Sequence, residues 1–210
     1  MKKHHVIIAL FIASFAHSVF ADENNLGTCV YPAGLNKSIN MTAYHQCVSK
    51  INQCPKNGPY LDGTCVKKQV EQDASCQELS QLAQHLNVSA DLIYLQQEAR
   101  FTVIDAVFPA DGGHLYALLS PDGCLIDTVV DPRDLNASIK KEYANKDFYL
   151  EAKDKPAYIH QSNGNQQFTA DIIVKNQCRA CEVIGTAKVA FTYTKNGKWI
   201  KTELLSFTKS

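Results

Sequence analysis

Eight cysteines, Cys29, Cys47, Cys54, Cys65, Cys76, Cys124, Cys178 and Cys181, are the residues of this chain whose type and spacing could do chemistry. The tightest pair, in Cys178-Arg179-Ala180-Cys181, has the Cys-x-x-Cys spacing of a thiol-disulfide oxidoreductase. In such an enzyme the first thiol sits at a helix N-terminus after a strand, where the dipole lowers its pKa and exposes a thiolate. Here the pair is followed by Val183, Gly185, Ala187, Val189 and Phe191, a period of two that predicts a strand. The main source of a reactive thiolate is then missing, and Arg179 is left as the cation beside the pair. Redox catalysis by Cys178 and Cys181 is therefore the alternative, and a structural bridge the preferred reading. A four-thiolate zinc site would need a second Cys-x-x-Cys, which the chain lacks, and oxidation would compete with metal for the same thiols. No metal and no cofactor are expected.

As bridge partners, all eight cysteines are disulfide candidates, and they divide the chain. Five crowd into the stretch from Cys29 to Cys76, and three are spread over the remainder. A small module that cannot bury much core uses covalent staples instead. Five is odd, so full bridging requires at least one of them to reach Cys124, Cys178 or Cys181. That is a covalent tie between the cysteine-rich part and the C-terminal remainder of the chain, although spacing alone selects no connectivity.

Bridges need an oxidising compartment, and residues 1–21 read as the route to one. Lys2 and Lys3 make a positive end, Val6 to Phe15 a short apolar run, and Val19 and Ala21 satisfy the small-residue rule ahead of a cleavage site. The run is shorter than the roughly 20 apolar residues of a spanning helix. The expected product is a soluble periplasmic or secreted protein, cut near Ala21 from a signal of bacterial type. It carries 19 Lys and Arg against 21 Asp and Glu, because Lys2 and Lys3 leave with the signal. A net charge of about −2 gives no electrostatic footprint for nucleic acid. Four sequons, beginning at Asn36, Asn40, Asn87 and Asn136, then read as ordinary polar positions.

Four histidines lie beyond the signal: His45, His85, His114 and His160. His114 follows Asp111-Gly112-Gly113, and with Asp127 and Asp131 it could form a polar cluster near a sheet edge, although a Gly-Gly turn with polar ends is the simpler reading. Gly-x-Ser-x-Gly, His-Glu-x-x-His and phosphate-loop motifs are all missing from the sequence.

The elements that must position these residues change character along the chain. Met41, Tyr44, Val48 and Ile51 recur at helical spacing over residues 41–54; Pro55 to Gly63 is turn chemistry; and Leu79, Leu82, Ala83 and Leu86 make the stripe of a helix over 75–86. Ser89 is placed to cap a short third helix carrying Leu92, Ile93 and Leu95. From Arg100 the period becomes extended. Phe101 to Phe108 predicts a strand with both faces partly buried. His114 to Leu119 and Cys124 to Val130 flank Ser120-Pro121-Asp122-Gly123 as a hairpin. Asp131-Pro132 starts a helix expected to run to Asn145 against the sheet. Phe168 to Val174 alternates as a strand, and Asn196-Gly197 reads as a two-residue type I′ turn pairing Tyr193 with Ile200, Phe191 with Thr202 and Val189 with Leu204.

The segment Leu79-Ser80-Gln81-Leu82-Ala83-Gln84-His85-Leu86-Asn87-Val88-Ser89-Ala90-Asp91-Leu92 resembles the helix, turn and helix of a LysM peptidoglycan-binding module. The module's opening Gly-Asp-Thr turn is replaced by Glu71-Gln72-Asp73-Ala74-Ser75, so glycan binding is not carried over. The chain thus reads as α+β: a signal over 1–21, a disulfide-stapled helical module over 22–99, and over 100–210 an antiparallel sheet of about six strands packed on one helix, a cystatin-like or NTF2-like layout. The expected function is binding of another envelope or extracellular protein or a small ligand, without catalysis. A cavity under the helix of residues 132–145 is where a ligand would sit.

Overall fold

The computed structural model describes residues 27–35, 38–109 and 112–210, so the expected signal and its cleavage site lie outside the described residues. The fold is α+β, in three layers. Helices form the first: α1 (Met41–Ile51), α2 (Gly63–Gln72) and α3 (Gln77–Leu86), with a small hairpin of β1 (Lys56–Asn57) and β2 (Tyr60–Leu61) between α1 and α2. A four-stranded antiparallel sheet is the second, in the order β3 (Ile93–Glu98), β4 (Phe101–Phe108), β5 (Gly113–Leu119), β6 (Leu125–Asp127). The third is a five-stranded sheet preceded in sequence by two short helices, α4 (Pro132–Leu135) and α5 (Ala137–Glu142). Its strands are β7 (Phe148–Ala152), β8 (Ala157–His160), β9 (Gln166–Asn176), β10 (Val183–Tyr193) and β11 (Trp199–Lys209), ordered β11-β10-β9-β7 with β8 also on β9.

Alternation along the middle sheet explains the layering. Ile93, Leu95, Ile104, Ala117, Leu119 and Leu125 turn one face to the helices and share a core with Leu79, Leu82 and Leu86. Phe101, Val103, Leu118 and Ile126 turn the other face to Phe168, Ile172, Val189 and Phe191 of the five-stranded sheet. With side chains alternating between faces, neighbours such as Val103 and Ile104 enter different cores. The rings of Phe101 and Phe168 meet edge-on, centroids 5.1 Å apart, across the second core. The expectation of one curved sheet of about six strands on one helix is corrected to two stacked sheets, because β4 and β5 are apolar on both faces and need cover on each.

Four local corrections have identifiable causes. The expected third helix is a single 3-10 turn, Ala90–Leu92, and Ser89 makes no cap bond. Ile93 and Leu95 instead pair with Ala106 and Ile104 as β3, so the proposed boundary between residues 99 and 100 falls in a hairpin turn. The unforeseen α2 buries only Val66, and is set up by the Asp62 side chain accepting from the Cys65 N–H at 2.8 Å. The helix of residues 132–145 begins as expected with Asp131 as cap, then breaks where extended Asn136 (φ −147°) accepts from the Ser138 and Ile139 N–H groups and restarts it.

The last hairpin is the fourth. Gly197 takes φ +84° while Asn196 stays at negative φ. The Gly197 N–H donates to Thr194 O, and the Thr194 N–H to Lys198 O. This is a three-residue loop with glycine in the left-handed position, not type I′. Tyr193 therefore faces Trp199 rather than Ile200, and Ile200 bulges out before Thr192 meets Lys201 and Phe191 meets Thr202. Pro121 packs against this turn: a Cβ on Gly197 would lie 2.6 Å from its Cδ, so no side chain fits there.

Candidate functional site

Cys178 and Cys181 close the turn between β9 and β10. They form a disulfide with Cα atoms 5.1 Å apart, and a strand follows, as the period-two pattern predicts, so no helix N-terminus faces either sulfur. Cys178 is exposed and Cys181 half-buried. Gln177 sits at φ +65° and its N–H donates to Asp147 O at 2.8 Å. The Cys178 N–H donates to Asn176 O (2.8 Å), the Cys181 N–H to Cys178 O (3.1 Å) and the Asn176 N–H to Glu182 O (2.9 Å). Lys175 Nζ donates to Arg179 O inside the ring at 2.8 Å and to Glu151 Oε2 at 2.7 Å, and Arg179 Nη2 reaches Glu151 Oε1 at 3.4 Å. Two cations thus share one carboxylate beside the pair.

The other six cysteines hold layers together. Cys47 joins Cys76 and Cys54 joins Cys65 within the helical layer, and Cys29 joins Cys124 across a sequence separation of 95. The odd cysteine of the first five therefore reaches the turn between β5 and β6. Beside the Cys47–Cys76 bridge, the Lys50 ammonium and the Ser75 groups hold the Asp73 carboxyl down at about 2.

The polar cluster suggested for His114, Asp127 and Asp131 is not assembled. His114 is exposed, with Nδ1 2.8 Å from Asp105 Oδ1 and its ring stacked on Tyr116. Asp131 is held by the Arg133 guanidinium, whose Nε lies 2.9 Å from Oδ2 and whose plane covers Phe148. Asp127 accepts from the Val129 N–H at 2.8 Å, and burial pushes its carboxyl up to about 7. The partners are offset by three positions along β5, since His114 pairs with Val107 and Ala117 with Asp127. His45 and His160 are exposed, while His85 is half-buried with its pKa lowered by burial. Among the described residues no three His, Cys, Asp or Glu side chains group as metal ligands. A groove of about 360 Å³ on the helical layer is lined by Val66, Val70, Ala83 and Val88.

Sequence reasoning gave no signal for the contrast among sheet edges. At β3 the buried Tyr44 hydroxyl donates to Ile93 O (3.3 Å) and accepts from the Leu95 N–H (3.1 Å), occupying two outward backbone groups. At β6 the main chain of Val30 bonds Leu125 in both directions, at 3.0 and 2.8 Å. The edge opposite β11 is split into the short β7 and β8. By contrast β11 runs for eleven residues on the rim, and among the described residues no side chain hydrogen-bonds its main chain. Its bulges put Ile200 and Leu205 outside the β10 register, 43 % and 48 % exposed.

No helix of the described residues is long and apolar enough to cross a membrane. No protein family, no curated protein and no solved structure matches the chain.

Proposed function

We propose that this is an exported, disulfide-bonded protein that works by binding another envelope or extracellular protein, and that β11 is the edge it offers. The observation that carries the reading is the difference among the edges. Three are capped, paired or broken, which is how proteins blunt unpaired strands, and among the described residues the longest has no such cap on its main chain. A partner segment adding to that edge gains main-chain hydrogen bonds, and alternate side chains supply selectivity. Ile200 and Leu205 are apolar anchors re-aimed by the bulges. The same bulges and Lys201 disfavour pairing with an arbitrary flat strand, so the edge discriminates.

A photo-crosslinking residue placed at Leu205, or for comparison at Tyr94 on the capped edge, tests this in the exported protein. The expected result is one defined adduct from position 205 and none from 94, with Ile200→Lys lowering its yield about tenfold, the loss of about 1.4 kcal/mol of binding. Equal labelling from both edges, or none from 205, removes the proposal.

A further inference from the structure

We infer that the Cys178–Cys181 disulfide is a thiol-exchange site, a two-electron acceptor that a dithiol on another exported protein reduces while the fold stays closed. The first ground is access. Each of the other bridges has at least one cysteine almost fully buried: Cys124, Cys47 and Cys76 at 0 % exposure, and Cys54 at 5 %. Cys178 stands in solvent, so an incoming thiolate can approach its sulfur without any layer opening.

The second ground is that the turn does not depend on the bond. The ring spans a sequence separation of three, against 95, 29 and 11 for the others. Beyond it, β9 and β10 are already paired along their length. Bonds from the Gln177, Cys178, Cys181 and Asn176 N–H groups, with Lys175 Nζ on Arg179 O, fix the backbone that presents both sulfurs. After reduction the two thiols stay poised to close again. Third, Lys175 and Arg179 bring two cations beside the pair, held on Glu151, and a nearby cation favours a thiolate as leaving group. Exposed Val183 next to the turn gives a protein donor an apolar contact.

The exchange balances in two displacements. A donor thiolate attacks Cys178 Sγ, forming a mixed disulfide and releasing Cys181 as a thiolate, which takes up a proton. The donor's second thiolate then attacks the donor sulfur of that mixed disulfide, closing the donor's own disulfide and releasing Cys178, which is protonated in turn. Two electrons and two protons pass from the donor to this chain.

Dithiothreitol serves as the dithiol probe. The folded oxidised protein is exposed to it at neutral pH, quenched with an alkylating agent at intervals and mapped by mass. The expected product carries two labels, on Cys178 and Cys181, and keeps one cooperative thermal transition. The remaining bridges open at least about 100-fold more slowly, since each has at least one sulfur-bearing residue buried in a core. The Cys178→Ser/Cys181→Ser double variant, folded by the same criterion, should yield no fast thiols. If the first labels fall on another pair, or the two thiols of 178 and 181 appear only together with unfolding, the inference is overturned.

Discussion

Replacing Tyr44 with Phe removes one hydroxyl and tests whether that hydroxyl closes the β3 edge. Tyr44 is 7 % exposed, Ile93 2 % and Leu95 9 %, so water has little access to the groups left behind. The lost bonds are 3.3 Å to Ile93 O and 3.1 Å from the Leu95 N–H. A buried donor or acceptor stripped of its partner costs about 1–3 kcal/mol, and the carbonyl tolerates the loss better than the N–H. The expected destabilisation is about 2 kcal/mol, or a drop in Tm of about 4–8 °C for a domain of this size. Equilibrium urea unfolding should show a lower midpoint at unchanged slope. Amide exchange should accelerate at Leu95 and not at the neighbouring Gln96, which localises the effect. A loss below about 0.5 kcal/mol, or a Leu95 amide that exchanges as before, refutes the claim that this hydroxyl seals the edge.

Asp127→Asn keeps an acceptor for the Val129 N–H and removes an ionisation that burial opposes. A carboxyl raised to about 7 favours the folded state fully below about pH 4, and that contribution is lost as pH rises to about 7. The ceiling is about 4 kcal/mol, and the residue's partial solvent access reduces it to about 1–2; unfolding at pH 5 and pH 8 should show a flatter profile in the variant, and an unchanged slope would contradict this. Tyr193→Phe discards a buried hydroxyl with no hydrogen-bond partner among the described residues and should leave stability equal or raise it by about 1 kcal/mol, whereas a comparable loss would mean that the hydroxyl is satisfied. Cys29→Ser with Cys124→Ser opens a long loop and should cost about 4–5 kcal/mol in the chain-entropy account, well above the roughly 2 for the Cys178–Cys181 ring; paired denaturation curves check the order.

Strands and helices with strong local periods were legible before any tertiary information. The Phe101–Phe108 strand, the α1 helix beginning at Met41, the Asp131-Pro132 start and the hairpin over Ser120–Gly123 stand where patterning puts them. Elements carried by long-range partners were hidden. Ile93 and Leu95 fit a helix or a strand equally well in a short apolar run, and only pairing with Ile104 and Ala106 decides. β7 is half-buried and β8 largely exposed, two short strands flanked by polar residues and paired with β9. At the candidate sites, the Cys178–Cys181 pair could be read from spacing, while its exposure and the Lys175 and Glu151 partners could not.

The sequence by itself determined the α+β class, the disulfide chemistry and, through an odd count of cysteines ahead of residue 100, a bridge from the first module to the sheet. These depend on residue type, period and parity, which are properties of the chain read along its length. Tertiary structure decided that a second sheet covers a middle layer apolar on both faces, that Gly197 packs against Pro121, and that Tyr44 caps two main-chain groups of the β3 edge. Each is a contact between segments far apart in sequence, where packing and hydrogen-bond satisfaction outweigh local preference by a few kcal/mol.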